Sequence, residues 1–387
     1  AVPLAPLAEE PTVRVGLASG AARVALGGGG ALRVSARDGR LLARLPSGTA
    51  AVEVLPKGAG LGLSSGARID EPVLLVSAEP AGTVRVDGRE YRGHAVLRRD
   101  DKGVTAVNVV GIEDYLGGVV GYELGTRDPR DFEALRAQAV IARTYALKNM
   151  GRWNAQGFDL RASVADQVYG GITAESEVVR RAVRSTRGEV LTHGGALIDA
   201  FFFSTCGGRT AEGTEVFRGA NRSYLRSVED TGPGGLAWCR ESSRFRWQER
   251  WTGEALGAAL RRSLPPVVPV HADEVEPVRD VRVLRTGPSG RVTELLLALR
   301  GREVRLDGPQ ARQVLRRPGG EAIQSSAFTA HATRRDGRLT ELVVDGQGWG
   351  HGVGFCQWGA IGRGRAGARA PEILAAYFTG TSLVRRY

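Results

Sequence analysis

Short apolar runs separated by glycine-containing breaks dominate the first hundred residues. Such runs lie at residues 13–17, 52–55 and 73–76, and the breaks contain Gly-Gly, Asp-Gly and Pro-Ser-Gly. Apolar runs of this length that are bounded by turn residues are typical of β-hairpins. The pattern therefore predicts a β-rich N-terminal lobe at residues 13–106, preceded by a loose tail at residues 1–12 that is rich in Pro and Ala.

A strand and then a helix are predicted next. Residues 107–112 form an apolar run, and Asp128-Pro129 introduces a segment in which apolar residues recur at helical spacing. An Asp N-cap, a Pro at the first helical position and a glycine, Gly151, at the far end are typical helix boundaries.

Polar residues on this helix, and a single Glu ahead of it, are the first candidates for a site. Gln138 and Tyr145 are seven residues apart and share a face, whereas Arg143 points elsewhere. Polar side chains on an Ala-rich helix indicate that its packed side also lines a site, although Arg143 could equally be a buried ion-pair partner. Glu123 lies in a glycine-flanked segment between apolar neighbours, which would favour its protonated form by desolvation.

The rest of the chain mixes helices with hairpins, so the predicted fold class is α+β. We expect a β-rich N-terminal lobe packed with a mixed α/β catalytic lobe. The core of that lobe would comprise residues 107–264, followed by an insertion or subdomain at residues 265–340 and completed by residues 341–387. Further helices are predicted at residues 175–187, 252–263, 308–316 and 371–378, and further hairpins at residues 189–204 and 280–306.

A glycine-rich break follows the apolar run at residues 201–203. Ser204 and Thr205 precede the paired glycines Gly207 and Gly208. Such a segment lets a ligand approach the backbone and offers N–H groups to it. A turn capped by the two hydroxyls would explain the same residues without a ligand.

A second glycine-rich segment, residues 346–354, alternates Gly with other residues and is followed by Gln357. Trp349 and His351 are two residues apart within it and would share a face in extended backbone. Trp suits apolar stacking on a sugar, and His can carry a proton near neutral pH. The alternative is a buried Trp and a hydrogen-bonded His in a structural loop.

Gln167 and Tyr169 alternate with an apolar residue in a stretch that ends in Gly170-Gly171. In a short strand both side chains would point to one side. They are then either site residues or the wet face of an edge strand.

The chain carries a formal net charge of +11, and nearly all of its basic residues are Arg. Attraction to an anionic polymer would explain this charge, and so would an Arg-rich amino-acid usage. No nucleic-acid motif or dense basic tract is present, so we expect no nucleic-acid partner. No apolar run approaches the ~20 residues that span a bilayer, so we expect no membrane span. The start at Ala1, without a basic and apolar leader, is what a mature secreted protein would show.

The three cysteines, Cys206, Cys239 and Cys356, follow no metal-binding spacing, and no His or Cys lies near Glu123 in the sequence. We therefore expect no metal and no cofactor. Cys206 and Cys239 could form a disulfide in an oxidising compartment and leave Cys356 free. Three buried thiols are the alternative.

Three stretches of the sequence resemble the motifs of one known family. They are EDYLGGVVGYELG with FEALRAQAVIARTYAL (residues 113–125 and 132–147), FFFSTCGGRTAEGTEVF (201–217) and GQGWGHGVGFCQWGA (346–360). All are similar to the stage II sporulation protein D family, whose members are peptidoglycan lytic transglycosylases and amidase enhancers. Their order and their spread over most of the chain argue against a chance match.

The resemblance implies an enzyme that acts outside the cytoplasm on peptidoglycan glycan strands and cleaves the β-1,4 bond between MurNAc and GlcNAc. Glu123 matches the Glu proposed as the family's catalytic acid. One carboxyl can suffice, because the C6 hydroxyl of the muramyl residue attacks its own C1 and leaves a 1,6-anhydro end. The residues expected to bind the glycan are Gln138, Arg143, Tyr145, Gln167, Tyr169, Ser204, Thr205, Gly207, Gly208, Trp349, His351 and Gln357.

Two other functions stay open at this point. A non-catalytic protein that binds the wall and enhances a cell-wall amidase would need no acid at all. A hydrolytic muramidase would need a second carboxylate close to Glu123.

Overall fold

The structure is a computed structural model that describes residues 7–48, 51–65, 69, 71–80, 82–125 and 128–387. The chain divides into two compact units. The first comprises Ala1–Asp199 with Ser382–Tyr387, and the second comprises Ala200–Thr381. Helices and strands, in sheets of mixed orientation, confirm the α+β class.

Strands supply most of the regular structure before residue 112, and further strands occur throughout the rest of the chain. In chain order the strands are β1 (Thr12–Ala21), β2 (Val24–Gly27), β3 (Ala31–Ala36), β4 (Leu41–Leu45), β5 (Val52–Lys57), β6 (Gly60–Leu63), β7 (Val73–Glu79), β8 (Val84–Val86), β9 (Arg89–Tyr91), β10 (His94–Asp100), β11 (Gly103–Gly111), β12 (Leu160–Arg161), β13 (Glu189–His193), β14 (Ala196–Leu197), β15 (Phe202–Phe203), β16 (Arg246–Thr252), β17 (Asp280–Thr286), β18 (Val292–Ala298), β19 (Glu303–Leu306), β20 (Phe328–Arg335), β21 (Arg338–Gln347), β22 (Phe355–Cys356) and β23 (Ser382–Arg385).

Helices follow from residue 112 onwards. They are α1 (Ile112–Leu124), α2 (Phe132–Asn149), α3 (Glu177–Ser185), α4 (Gly213–Val216), α5 (Gly253–Ser263), α6 (Gly308–Val314), α7 (Gln357–Arg365) and α8 (Ala370–Tyr377). The helices predicted from capping signals are present as α2, α3, α5, α6 and α8. Among the described residues, no helix combines the length and the apolar character that a bilayer crossing requires.

Two sheets form most of the β structure of the first unit. Their strand orders are β12-β1-β11-β10-β7-β3-β4 and β6-β5-β2-β8-β9. β1 pairs antiparallel with β11, and Val13 and Val15 on β1 are fully buried. Alternate positions of these strands face the core, which is the arrangement that the apolar runs predicted.

The described part of the N-terminal tail is not loose. The Leu7 N–H donates to the Arg386 carbonyl oxygen at 2.6 Å, and the Glu113 N–H donates to Glu10 Oε1 at 3.1 Å. The predicted loose tail is therefore wrong for residues 7–12, because backbone and side-chain hydrogen bonds hold them to the first unit. Residues 1–6 lie outside the described part of the chain.

Helix α1 was not predicted, because Gly117, Gly118 and Gly121 make its sequence a poor helix former. These glycines lie on one side of the helix. A Cβ on Gly118 would come within 2.6 Å of the Tyr169 ring, and one on Gly121 would overlap the Ala174 carbonyl oxygen. Close packing of residues 169–175 against α1 therefore requires glycine there and outweighs the low helix propensity.

Helix α2 ends as the capping signals predicted, but it begins three residues later than they did. A short 3-10 turn, Pro129–Asp131, precedes it, and the Asp128 side chain accepts from the Arg130 N–H at 2.9 Å. Gly151 after its end has φ 81°, a conformation that favours glycine. Most of the helix is buried because its many Ala residues let neighbouring elements approach closely.

The second unit has its own apolar core beneath two three-stranded sheets, β16-β21-β20 and β17-β18-β19. Trp251, Leu295 and Leu342 are buried together in this core. Helices α5 and α6 contribute Leu256 and Val314 to the same core. The segment predicted as an insertion at residues 265–340 thus shares one core with residues on both sides of it, and the chain divides after Asp199 instead.

Candidate functional site

Glu123 lies in the last turn of α1 and is half-buried. Its Oε1 atom accepts a hydrogen bond from the Val168 N–H at 3.0 Å. The adjacent Tyr122 side chain is 53% exposed, so this end of the helix borders solvent. The segment that carries Val168 approaches α1 closely because of the glycines on that helix.

Asp166 fixes the loop that contacts Glu123. Its side chain is fully buried and accepts four hydrogen bonds. The donors are Tyr145 Oη at 3.1 Å, Arg152 Nη1 at 3.0 Å, Trp153 Nε1 at 2.7 Å and the Arg161 N–H at 2.9 Å. The predicted site residue Tyr145 therefore positions this loop through Asp166.

Gln167 and Tyr169 are both buried. The alternative that they lie on the solvent-exposed face of an edge strand is therefore wrong. The Tyr169 hydroxyl donates to Asn108 Oδ1 at 2.9 Å, which makes Tyr169 part of the core. The Tyr115 hydroxyl donates to Gln167 Oε1 at 3.2 Å. Gln167 Nε2 is buried and has no hydrogen-bond partner among the described residues. A buried donor without a partner is costly, so this amide is a candidate to bind a ligand oxygen.

Arg143 does not face a site. Its guanidinium is fully buried and contacts Glu113 through Nη2–Oε2 at 2.7 Å and Nε–Oε1 at 2.9 Å. The prediction that Arg143 contacts substrate is therefore replaced by the alternative of a buried ion pair. Gln138, on the same helix, is also fully buried.

The tyrosines near Glu123 act as neutral hydrogen-bond donors. Burial raises the pKa of the Tyr115 phenol, and the negative charges of Asp166 and Glu123 raise it further. Burial, followed by the charge of Asp166, likewise raises the pKa of Tyr145. These groups therefore keep their protons at neutral pH.

In the second unit, the two predicted glycine-rich segments meet. The Thr205 and Trp349 backbones exchange hydrogen bonds of 3.0 and 2.8 Å. Thr205 is fully buried, and its hydroxyl lies 2.8 Å from Ser242 Oγ and 3.2 Å from Ser204 Oγ. Gly207 has φ 82°, and a Cβ there would come within 2.9 Å of the Gln347 side chain. The positive φ therefore favours glycine there, and the Gln347 side chain leaves little room for a Cβ.

Trp349 presents its indole to solvent. The side chain is 41% exposed, and the Arg244 guanidinium carbon lies 4.4 Å from the ring centroid. A large exposed apolar ring held by a paired backbone is suited to stack on a sugar. Gln357, by contrast, is only 6% exposed in the first turn of α7.

His351 makes hydrogen bonds through both ring nitrogens. Nδ1 accepts from the Val353 N–H at 3.1 Å, so Nε2 carries the proton and donates to the Phe202 carbonyl oxygen at 2.9 Å. Burial lowers the pKa of His351 to about 4. A proton carrier near neutral pH needs a pKa near the working pH, so the structure favours the alternative of a hydrogen-bonded structural His.

The three cysteines lie together in the second unit. The Cys206 and Cys239 sulfurs are 3.4 Å apart and are not bonded to each other. The two residues are therefore close to each other, and the disulfide between them stays a prediction. Cys356, the thiol that such a disulfide would leave free, also lies here, and its sulfur accepts a hydrogen bond from the Cys206 N–H at 3.2 Å. Asp230 completes the group, with all four ligand atoms within 4.8 Å of one another. No sequence spacing signalled this cluster, because the cysteines are far apart in the chain.

These features define an α+β protein with one carboxyl candidate in its first unit and a glycine-rich loop with an exposed Trp in its second. Residues 100–193 match the family model described as stage II sporulation protein. Residues 237–354 match a domain of unknown function. The chain belongs to the stage II sporulation protein D family.

Relatives of the chain carry names from this family. An uncharacterised protein of Brachyspira hyodysenteriae is 30% identical over 77% of this chain and 73% of its own length. Stage II sporulation protein D of Bacillus subtilis is 27% identical over 72% of this chain and 76% of its own length. The amidase enhancer of the same species is 26% identical over 65% of this chain, but the match covers only 38% of that protein.

Proposed function

We propose that the protein is a lytic transglycosylase that acts outside the cytoplasm on the glycan strands of peptidoglycan. The observation that carries this proposal is the setting of Glu123, a half-buried carboxyl whose Oε1 is held by the Val168 N–H. The family membership supports a role at the cell wall.

One carboxyl accounts for both steps of this reaction. With Oε1 engaged as an acceptor, Oε2 would carry the proton and deliver it to the glycosidic oxygen as the bond to C1 breaks. The resulting carboxylate would then remove the proton from the C6 hydroxyl of the muramyl residue while that oxygen attacks C1. The products would be a free GlcNAc hydroxyl and a 1,6-anhydro-muramyl end, and Glu123 would regain its proton.

The burial and hydrogen bonding of Asp166 favour transglycosylation by one carboxyl over hydrolysis. A hydrolytic muramidase needs a second carboxylate, either as a nucleophile or to activate water. Asp166 lies two residues from Val168, but it is fully buried and accepts four hydrogen bonds from protein donors. Freeing it for attack would leave those donors without partners, which is energetically costly.

Each unit would add a glycan contact of its own in this proposal. Gln167 Nε2 is a buried donor without a described partner and would bind a sugar hydroxyl or acetamido oxygen. Trp349 would stack on the apolar face of a sugar ring. The half-buried Ser204 hydroxyl lies in the loop that pairs with Trp349 and would add a polar contact.

The decisive experiment compares wild type with Glu123→Gln on purified glycan strands freed of stem peptides. Gln keeps the shape of the side chain and an oxygen for the Val168 N–H, but it cannot donate an acidic proton. We expect anhydro-muramyl ends, detected by mass spectrometry, to fall by at least about 100-fold. Glu177→Gln, which alters an exposed carboxylate on α3, is the matched control and should retain full activity.

The amidase enhancer among the relatives favours a second candidate function. In that case both wild type and Glu123→Gln would bind glycan strands without cutting them and would stimulate a purified cell-wall amidase equally. Reducing ends in place of anhydro ends would instead indicate a hydrolase. Either result would overturn the proposed transglycosylase.

A further inference from the structure

The four side chains around Cys206 come from separate segments of the second unit and are all buried. Cys206 follows β15, Cys356 ends β22 and caps α7, and Asp230 and Cys239 come from the loop between α4 and β16. Each offers one ligand atom, and these atoms lie within 4.8 Å of one another. Such a cluster of soft and acidic groups in a core requires an explanation, because ionisable groups are costly to bury without a partner.

The spacing of the atoms fits a tetrahedral zinc ion. Bonds of about 2.3 Å to sulfur and about 2.0 Å to oxygen place neighbouring ligand atoms roughly 3.4–3.8 Å apart. Cys206 and Cys239 sulfurs are 3.4 Å apart, and Cys206 Sγ lies 3.2 Å from Asp230 Oδ2. All of the ligand atoms lie within 4.8 Å of one another, so binding would draw the more distant ones together by up to about an ångström.

Backbone N–H groups point at the sulfurs, as they do where thiolates bind metals. The Gly208 N–H donates to Cys206 Sγ at 3.3 Å, and the Gly359 N–H donates to Cys356 Sγ at 3.3 Å. A cation would allow all three sulfurs to be thiolates.

The carboxylate of Asp230 is supported in the way that a metal-binding carboxylate usually is. Arg363 Nε donates to Asp230 Oδ1 at 3.0 Å, and the Tyr377 hydroxyl lies 2.9 Å from the same oxygen. A second cation, Arg291, is buried, and its Nε and Nη2 have no hydrogen-bond partner among the described residues. Burial disfavours the charged form of Arg291, and a thiolate at Cys206 would compensate that charge.

We propose that Cys206, Cys239, Cys356 and Asp230 bind one zinc ion in a closed structural site of the second unit. Three cysteines and one further ligand, all buried, supply the four protein ligands of a closed structural zinc site, which keeps no position open for water, and here the fourth ligand is a carboxylate. Binding would release the thiol protons to solvent. The ion would fix the backbone at Thr205, which pairs with Trp349, and so hold the exposed indole in place.

The test is metal analysis of the full chain purified under reducing conditions without added metal. We expect about one zinc per chain by mass spectrometry of the metal. Cys239→Ser should lose the zinc, and Asp230→Asn should weaken zinc binding by at least about tenfold. His331→Ala, which removes an exposed imidazole of the same unit, should keep it and controls for zinc on the surface.

Reconstitution keeps the test valid if a cysteine variant fails to fold. Wild type stripped with a chelator is titrated with Co²⁺, which should produce the thiolate charge-transfer and tetrahedral ligand-field absorption bands, and Zn²⁺ should then abolish them. The proposal is overturned if purified and reconstituted protein bind no metal while three thiols react with a thiol reagent after denaturation. It is equally overturned if protein purified without reductant has one reactive thiol after denaturation and a mass that shows a Cys206–Cys239 disulfide.

Discussion

The backbone N–H of Val168 donates to Oε1 of Glu123 at 3.0 Å, so a loop without regular structure orients the candidate acid. That loop is held on one side by Asp166 and its four donors, and on the other by the glycine side of α1. The position of one carboxyl thus depends on how this loop is held.

Gly121 should be critical for this arrangement. Gly121→Ala would place a methyl group onto the Ala174 carbonyl oxygen, so we expect a loss of about 1–3 kcal/mol in the free energy of unfolding, measured in urea, together with reduced glycan cleavage. Gly117→Ala is the comparison, because its Cβ would meet the Glu175 side chain, which Arg92 holds, at 3.3 Å and would need a shift of only a few tenths of an ångström, so we expect a smaller loss. Equal stability of the two variants would contradict the packing argument.

The Arg143–Glu113 pair should stabilise the fold without contacting substrate. Arg143→Met would leave Glu113 with the Tyr387 hydroxyl but without its cation, and we expect a loss of about 3–5 kcal/mol in the free energy of unfolding. Adding Glu113→Gln should restore part of that loss. A variant of wild-type stability but weakened glycan binding would return Arg143 to the substrate site.

His351 should make the protein less stable in mild acid. Burial lowers its pKa to about 4, so the folded state stays neutral while the unfolded chain takes up a proton below about 6.5. This contribution to stability is full above pH 6.5 and is lost as the pH falls towards 4, on the order of 3 kcal/mol.

Thermal unfolding as a function of pH checks this expectation. His351→Gln cannot titrate, so its loss of stability between pH 6.5 and 4 should be smaller than that of wild type. His331→Gln changes an exposed imidazole and should leave the wild-type slope intact. Identical slopes for wild type and His351→Gln would refute the assignment.

Trp349 should contribute to glycan affinity rather than to stability. Its ring is 41% exposed, and its backbone pairing with Thr205 does not depend on the side chain. We expect Trp349→Ala to weaken binding of glycan strands about three- to tenfold with little change in the unfolding midpoint, and Trp349→Phe to retain most of the affinity. Isothermal titration with soluble glycan oligomers measures the affinity of the two variants, and thermal unfolding measures the midpoint. Unchanged affinity in Trp349→Ala would exclude the stacking role.

Local signals in the sequence predicted some elements well. Helix α2 followed from Asp128, Pro129 and Gly151, because caps and turn residues act over a few positions and need no tertiary context. Helices α1 and α7 were missed, because their glycines exist to allow contacts with distant residues. In α7, a Cβ on Gly359 would overlap Asp230.

The candidate site residues were also predicted only in part from the sequence. Motif resemblance singled out Glu123 and the glycine-rich segments, but it also suggested Tyr169 and Arg143, which are buried in the core. Whether a polar side chain faces a ligand or a buried partner depends on what packs against it, and a motif does not contain that information.

By itself, the sequence determined the α+β class, the family, the capped helices and the one acid placed between glycines. Only the tertiary structure decided that Val168 orients this acid, that His351 is neutral, and that Cys206 and Cys356 lie together with Asp230. The physical reason is the separation along the chain over which each interaction acts. Caps and periodicity act between near neighbours in the chain, whereas burial, ion pairing and metal-type clusters arise between residues that only folding brings together.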